Sequence, residues 1–254
     1  MEMYGLIGKT LTHSFSGDYF SRKFREKQID ASYRLWEWET LPNLYDFVRE
    51  NSDICGFNVT IPYKREVIRY MDQLHKTAEL TGSVNVVKVK RKKDEIFLHG
   101  YNTDVIGFER SLRPLVKRRK GLRALILGSG GSAHSVAFVL RRLGIYFTFV
   151  TRKPNKLETM GYGWITPDVM KECKLIVNTT PLGMYPKVNE APEIPYELVT
   201  PEHIFFDLIY NPAETLFLKK AREKGAVTKN GLEMLQIQAE ESWKIWNNKL
   251  LLGL

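Results

Sequence analysis

Apolar residues recur along this chain with two periods, and the alternation between them predicts the fold class. Met3 to Ile7 reads as a short strand, and a polar loop from Gly8 to Gly17 follows it, carrying Thr12, His13, Ser14 and Ser16. Phe20, Phe24 and Ile29 then lie on the inner face of a helix that Asp18 can cap. Tyr33 to Trp38 reads as a second strand, and Leu41 to Val48 as a helix with Leu44, Phe47 and Val48 inward. Gly56 to Pro62 is a third strand, where Pro62 fits the first turn of a helix carrying Lys64, Val67 and Ile68. Val84 to Val89 and Glu95 to His99 flank Lys90-Arg91-Lys92-Lys93, which makes that basic cluster a hairpin tip.

The second half repeats the alternation around one stretch. A helical pattern at Val105, Ile106, Phe108 and Leu112 leads, through the basic loop Lys117 to Lys120, into Leu125 to Leu127, which reads as a buried parallel strand. That run stops in Gly128-Ser129-Gly130-Gly131-Ser132-Ala133, and a helical recurrence at Val136, Val139, Leu140 and Leu143 follows. A strand, a glycine turn and a helix are the context that a dinucleotide fingerprint needs. Gly128 serves the tight turn, Gly130 the close approach of backbone to pyrophosphate, and Ala133 the contact of helix with strand. Tyr146 to Val150, Leu175 to Asn178 and Ile204 to Ile209 read as further strands. Leu232 to Leu250 reads as an amphipathic helix with Leu235, Ala239, Trp243, Trp246 and Leu250 on one face. The expectation is an α/β protein with an open α/β unit over residues 1–104 and a nucleotide unit over residues 105–230.

Composition narrows this further. With 254 residues and 43% apolar content the chain can bury a substantial core. No apolar run approaches the ~18 residues of a membrane span, and Met1-Glu2-Met3-Tyr4 goes straight into a strand, so a cytoplasmic protein free of membrane is expected. Cys55 and Cys173 lack metal-ligand spacing; they read as buried thiols, and no metal site is expected. The net charge of +9 is dispersed over loops and comes with no nucleic-acid motif, which argues against a nucleic-acid partner. The same field would serve a small anionic substrate and a phosphorylated cofactor.

Two sets of residues carry candidate chemistry. The strand after the glycine turn ends in Thr151-Arg152-Lys153, with Lys156 a turn later, where an acid would select a free ribose hydroxyl. A guanidinium offers paired donors to a 2′-phosphate, so NADP is favoured over NAD. In the first unit Asn58, Thr60, Lys64, Asn85 and Asp104 fall at or near strand ends, where open α/β sheets bind ligands. One lysine, one carboxylate and several neutral hydrogen-bonding groups suit a small polyhydroxylated acid.

These motifs make the chain resemble the shikimate dehydrogenase family almost end to end. The resemblance runs from Tyr4-Gly5-Leu6-Ile7-Gly8 through His13-Ser14-Phe15-Ser16, Asn58-Val59-Thr60-Ile61-Pro62-Tyr63-Lys64, Val84-Asn85 and Asn102-Thr103-Asp104. It continues in the glycine turn, Asn178 to Met184, Asp207 to Pro212, and Gly231 to Ala239. It implies a substrate domain, completed by residues 231–254, and a Rossmann-type NADP-binding domain, with substrate held against nicotinamide in the cleft between them. The implied reaction is the reversible NADPH-dependent reduction of 3-dehydroshikimate to shikimate, on the route to chorismate, by a monomer or homodimer.

By the same resemblance Ser14 and Ser16 hold the substrate carboxylate with Tyr210 nearby, while Thr60, Asn85 and Gln238 bind ring hydroxyls and Asn58 lines that site. Lys64 and Asp104 form the catalytic pair: an ammonium both stabilises developing alkoxide charge and delivers a proton. The cofactor falls to Gly128, Ser129, Gly130, Gly131, Ser132, Ala133, Thr151, Arg152, Lys153, Lys156, Asn178, Thr179, Gly231 and Met234. The chain departs from the family pattern at Gly17, Tyr101 and His134, and in a segment after Lys156 too short for the usual helix. Two alternatives stand beside this reading: a quinate/shikimate enzyme using NAD or either cofactor, which Arg152 opposes in its NAD form, and a non-catalytic regulator, which the intact Lys64 and Asp104 oppose.

Overall fold

Strand β1 (Glu2–Gly8) divides its side chains between two apolar layers, and the first unit is built around that division. Met3 and Ile7 join Val48, Phe57, Val59 and Val87 on one side, while Tyr4 joins Phe20, Phe24, Val86, Ala239 and Trp246 on the other. The fold comes from a computed structural model that describes residues 1–11, 14–154 and 159–248. Thr12, His13, Lys156 and Leu250, named above, lie outside the described residues.

The elements of the first unit follow in order: α1 (Phe15–Glu26), β2 (Ala31–Glu37), α2 (Leu44–Glu50), β3 (Ile54–Val59), β4 (Gln73–Leu74), α3 (Lys76–Thr81), β5 (Val86–Lys92) and β6 (Glu95–Tyr101). Among the described residues they form a sheet of order β2-β1-β3-β5-β6-β4. β1 runs parallel to β2 and β3, and β5 runs antiparallel to β3 and β6.

Three expectations need correction here. Helix α1 starts at Phe15 with Ser14 in the extended cap conformation, so Asp18 sits inside the first turn rather than capping it. Lys64 does not begin a helix: residues 61–65 pass through turns, the Lys64 carbonyl accepts from Val84 N–H at 2.7 Å, and only Glu66–Tyr70 form a short 3-10 turn. The Ile68 N–H, which a helix would pair with the Lys64 carbonyl, donates instead to the Arg65 carbonyl at 3.3 Å. The β5–β6 hairpin is present, but Lys90 to Lys92 lie in β5 and the left-handed Lys93 makes the turn.

The second unit comprises α4 (Asp104–Val116), β7 (Arg123–Leu127), α5 (Gly131–Arg142), β8 (Tyr146–Val150), β9 (Thr159–Met160), α6 (Pro167–Glu172), β10 (Leu175–Asn178), β11 (Ile204–Asp207), α7 (Leu216–Glu223), β12 (Val227–Lys229) and the start of α8 (Leu232–Trp246). Its strands are all parallel, in the order β12-β11-β10-β7-β8-β9. Alternate residues of β7 enter opposite layers, Ala124 and Ile126 on one side and Leu125 and Leu127 on the other. A parallel sheet covered on both faces explains why these strands read as unbroken apolar runs.

Contacts group Met1–Thr103 and the chain from Gln238 onward into the first unit, and Asp104–Ile237 into the second. Gly231 to Ile237 are thus counted with the nucleotide-type unit, and α8 carries its later residues into the first. No helix among the described residues is long and apolar enough to cross a membrane. Cys173 is buried, whereas Cys55 is only partly so, which corrects its reading as a buried thiol.

The C-terminal end of α8 is fixed by a buried cation. Lys88 Nζ on β5 donates to the carbonyls of Ile245 and Trp246 at 2.8 and 2.9 Å and to Asn248 Oδ1 at 2.6 Å. Helix-end carbonyls have no intrahelical partners, and burial pushes the Lys88 pKa down against this favourable use of its charge. Lys88→Met keeps the length of the side chain and strands those carbonyls, so it should lower unfolding free energy by roughly 2–3 kcal/mol. Urea denaturation measures this; an unchanged midpoint would show that solvent satisfies the helix end instead.

Candidate active site

The first unit gathers its polar side chains where β3 and β5 meet the later part of α8. Asn58, near the end of β3, accepts from the Tyr33 hydroxyl at 2.8 Å and donates to the Asn85 carbonyl at 3.2 Å and to Ser242 Oγ at 3.0 Å. Asn85 Nδ2 donates to Thr103 Oγ1 at 3.0 Å and to Gln238 Oε1 at 3.2 Å, and Asn85 Oδ1 accepts from Thr103 N–H at 2.7 Å. Asn58, Asn85, Thr103, Gln238 and Ser242 are all buried. Buried amides of this kind are costly unless paired, and here they pair with one another. The carbonyl end of the Gln238 amide is turned toward Asn85.

Other residues of the expected substrate site lie along the same unit. Ser14 stands at the cap of α1 without using its hydroxyl to cap the helix, and Ser16 is buried in the first turn. Thr60 follows β3 directly, its N–H donating to the Ile7 carbonyl at 2.9 Å and its carbonyl accepting from Tyr63 N–H at 3.0 Å. Lys64, four residues on, is half-buried. Asp104 is buried and opens α4, and Tyr210 follows β11; both belong to the second unit.

In the second unit the glycine turn sits where the strand order reverses, since β8 and β10 flank β7 on opposite sides. Gly128 has φ +109, and a Cβ on it would lie 2.7 Å from Thr179 Oγ1, so only glycine fits both the conformation and the contact. Thr179 is drawn in because its N–H and hydroxyl donate to the Leu127 carbonyl at 2.9 and 2.6 Å. Ser129 and Gly130 are exposed, and α5 opens behind them with Gly131, Ser132 and the buried Ala133. A helix N-terminus behind the exposed, small residues Ser129 and Gly130 fits a pyrophosphate. Thr151 follows β8 with its N–H on the Met160 carbonyl at 2.9 Å, and Arg152 and Lys153 beside it are exposed. Gly231 donates to the Ile209 carbonyl at 2.9 Å, and a Cβ there would lie 2.1 Å from the Leu208 carbonyl oxygen; Met234 is buried in the apolar layer beneath.

Sequence reasoning missed three members of these networks. Tyr33 reads as an ordinary strand aromatic, and Thr103 was noticed only as part of Asn102-Thr103-Asp104. Ser242 left a signal: it lies one helical turn after Gln238, on an otherwise apolar face. Among the described residues no group of His, Cys, Asp or Glu is arranged to hold a metal ion.

A parallel sheet with a glycine turn at its switch point, in a chain whose other α/β unit gathers neutral polar groups, defines a two-domain dinucleotide-dependent dehydrogenase class. Comparisons with known proteins agree. Residues 6–87 match the family model described as "Shikimate dehydrogenase substrate binding domain". The chain is 36% identical over 260 residues to a protein named shikimate dehydrogenase (NADP(+)) from Methanococcus aeolicus, covering 96% of this chain and 91% of that one. A solved shikimate dehydrogenase from Aquifex aeolicus superposes with a TM-score of 0.86 at 33% identity, covering 98% of this chain and 93% of that one. One from Thermus thermophilus, solved with NADP(H) and shikimate, gives a TM-score of 0.81 at 28% identity, covering 98% and 94%. The chain belongs to the shikimate dehydrogenase family.

The carboxyl ends of β10 and β11 carry a titratable group. Asp207 is fully buried and accepts from Thr215 Oγ1 at 2.6 Å, Ile209 N–H at 3.0 Å and Asn178 Nδ2 at 3.1 Å. Burial dominates and raises its pKa from 3.8 to about 7, with the three hydrogen bonds opposing. A folded-state pKa above the unfolded one means that the native protein holds the extra proton. Stability from this group is therefore full below pH 3.8 and is lost as pH rises through about 7. Asp207→Asn should abolish that dependence. The wild-type unfolding free energy, less that of the variant, should fall by on the order of 4 kcal/mol between roughly pH 4 and pH 8 in paired urea titrations. Parallel curves for the two proteins would mean that Asp207 is ionised throughout.

Proposed function

We propose that this chain catalyses the reversible NADPH-dependent reduction of 3-dehydroshikimate to shikimate, as an oxidoreductase acting on a CH–OH group in chorismate biosynthesis. The observation that carries the reading is the buried amide network of Asn58, Asn85 and Gln238, which offers neutral, oriented partners to ring hydroxyls in a chain 36% identical to an NADP-dependent relative. Ser14 and Ser16 supply hydroxyls at the N-terminal end of α1, where the helix dipole favours a carboxylate. Tyr210 joins them in holding that carboxylate. Thr60 and Asn58 accompany Asn85 and Gln238 around the ring.

NADPH, when bound, supplies the hydride; the glycine turn from Gly128 to Ala133, with Asn178, Thr179, Gly231 and Met234, would hold it. Thr151, Arg152 and Lys153 would read the 2′-phosphate, with Lys156 as the fourth member. The protein's own task is the proton. Lys64 stabilises charge on the ketone oxygen and delivers a proton to it, and Asp104 holds the ammonium and hydrogen-bonds the same hydroxyl. In this reading the enzyme works in the cytoplasm as a monomer or homodimer, and its dispersed +9 charge attracts an anionic substrate rather than nucleic acid.

The test is a spectrophotometric assay with shikimate or quinate, each offered NADP or NAD. Shikimate with NADP should turn over best; preference for quinate with NAD, or no turnover, would displace this reading. Lys64→Ala should lower kcat by about 10² to 10⁴ and leave NADP affinity nearly unchanged. Asp104→Ala should do likewise, and the double variant should fall well short of the product of the two losses, since groups acting together are non-additive. Arg152→Ala should weaken NADP binding roughly ten- to a hundredfold with little effect on NAD. Equal losses for both cofactors would remove Arg152 from phosphate recognition.

A further inference from the structure

Tyr33 is on no element expected to touch substrate, yet its hydroxyl sits at a junction of the first unit. It lies on β2, beside Tyr4 of β1, while Asn58 lies on β3 beside Leu6 of the same strand. The tyrosine therefore reaches over β1 to meet the Asn58 amide at 2.8 Å. Its ring stacks on Phe20 of α1, with centroids 4.7 Å apart and planes 15° from parallel. The ring is partly exposed and the hydroxyl end is enclosed; enclosure pushes its pKa up, against a hydrogen bond with Ser16.

The direction of these bonds follows from one atom. The Asn85 carbonyl can only accept, so the Asn58 nitrogen must be the end that faces it, at 3.2 Å. The second Nδ2 proton goes to Ser242 Oγ at 3.0 Å, whose own proton goes to the Gln238 carbonyl at 2.7 Å. Asn58 Oδ1 is then left facing Tyr33, which must donate. With its proton committed, the Tyr33 hydroxyl can only accept from Ser16. Asn58 retains one lone pair on Oδ1 for a ligand, which makes it an acceptor for a substrate hydroxyl and never a donor to a carboxylate.

We propose that Tyr33 is a positioning residue of the substrate site, anchored on Phe20 of α1 and holding the amide network at the end of β3 through Asn58. It takes one lone pair of Asn58 Oδ1 and so sets which one is left for a ring hydroxyl. The inference rests on the shikimate reading above and deepens it.

Tyr33→Phe tests it, because the stacked ring stays and only the donor is lost. Calorimetric titration with shikimate alone reads binding without turnover, and steady-state kinetics reads the rest. Shikimate affinity should fall about tenfold, and its KM rise to match, while kcat and the KM for NADP stay within about twofold. Asn58→Ala should weaken shikimate at least as much, and adding Tyr33→Phe to it should cost little more, since the hydroxyl acts on the site through Asn58. Unchanged shikimate affinity in Tyr33→Phe overturns the proposal, as does an equal weakening of shikimate and NADP, which marks a general loosening of the fold. Failure of the wild-type protein to bind shikimate overturns the functional reading and this inference together, whereas wild-type binding that Tyr33→Phe matches overturns this inference alone.

Discussion

Polar atoms buried at the ends of strands must find partners without water, and both units of this chain meet that demand with side-chain amides. In the first unit Asn58 and Asn85 spend their amides on Tyr33, Ser242, Thr103, Gln238 and a backbone carbonyl. In the second, Asn178 Oδ1 accepts from Thr180 N–H at 3.0 Å and its Nδ2 donates to Asp207 at 3.1 Å. An amide suits the place because it donates and accepts at fixed angles while carrying no net charge. Each network also fixes the orientation of the atoms that it leaves over, and those leftover atoms are what a ligand would meet. Satisfying the fold and shaping the site are in this respect one problem.

Much of this was legible because the signals were local. Leu125 to Leu127 followed by Gly128-Ser129-Gly130 marks a strand ending in a bare turn, and Gly128 is held there by its φ of +109 and by the hydroxyl of Thr179. The pairing of β5 with β6 is equally local, being a hairpin. What failed were features settled by distant partners. Nothing near Lys64 shows that its carbonyl will be taken by Val84, so the sequence around Pro62 suggests a helix start that does not form. Asp18 has the chemistry of a cap, but Ser14 has the extended conformation that the position needs. The short elements β4, α3, α6, α7 and β12 have too few residues to declare a period. Tyr33 was hidden for the same reason: its role depends on a residue two strands away in the sheet.

Cations and neutral polar groups are divided between surface and interior. The buried positions around Asn58 and Asn85 hold hydroxyls and amides, while arginines and lysines crowd the exposed loops and turns. Neutral donors bind a hydroxylated ring at small desolvation cost, whereas an unpaired buried cation would need an anion at all times. Lys88 is the exception that supports the point, since it is buried only because three oxygens at the end of α8 surround its ammonium.

Asp207 shows what happens when a carboxyl takes a place of this kind. All three of its neighbours approach as donors: the Ile209 N–H and the Asn178 amide at one oxygen, the Thr215 hydroxyl at the other. Thr215 is itself directed, because its oxygen accepts from Leu218 N–H at the start of α7 and its proton is free to point at Asp207. The hydrogen bonds therefore favour the carboxylate, and burial with no cation beside it favours the acid. Burial outweighs the hydrogen bonds without cancelling them, which leaves the group titrating near neutral pH, with a pKa of about 7. Of the three neighbours only the Thr215 hydroxyl can accept a proton from the acid, since the Ile209 N–H and the Asn178 NH2 can only donate. Protonation at Asp207 can therefore be met by reversing the Thr215 hydrogen bond alone, with the two donors at the other oxygen left in place.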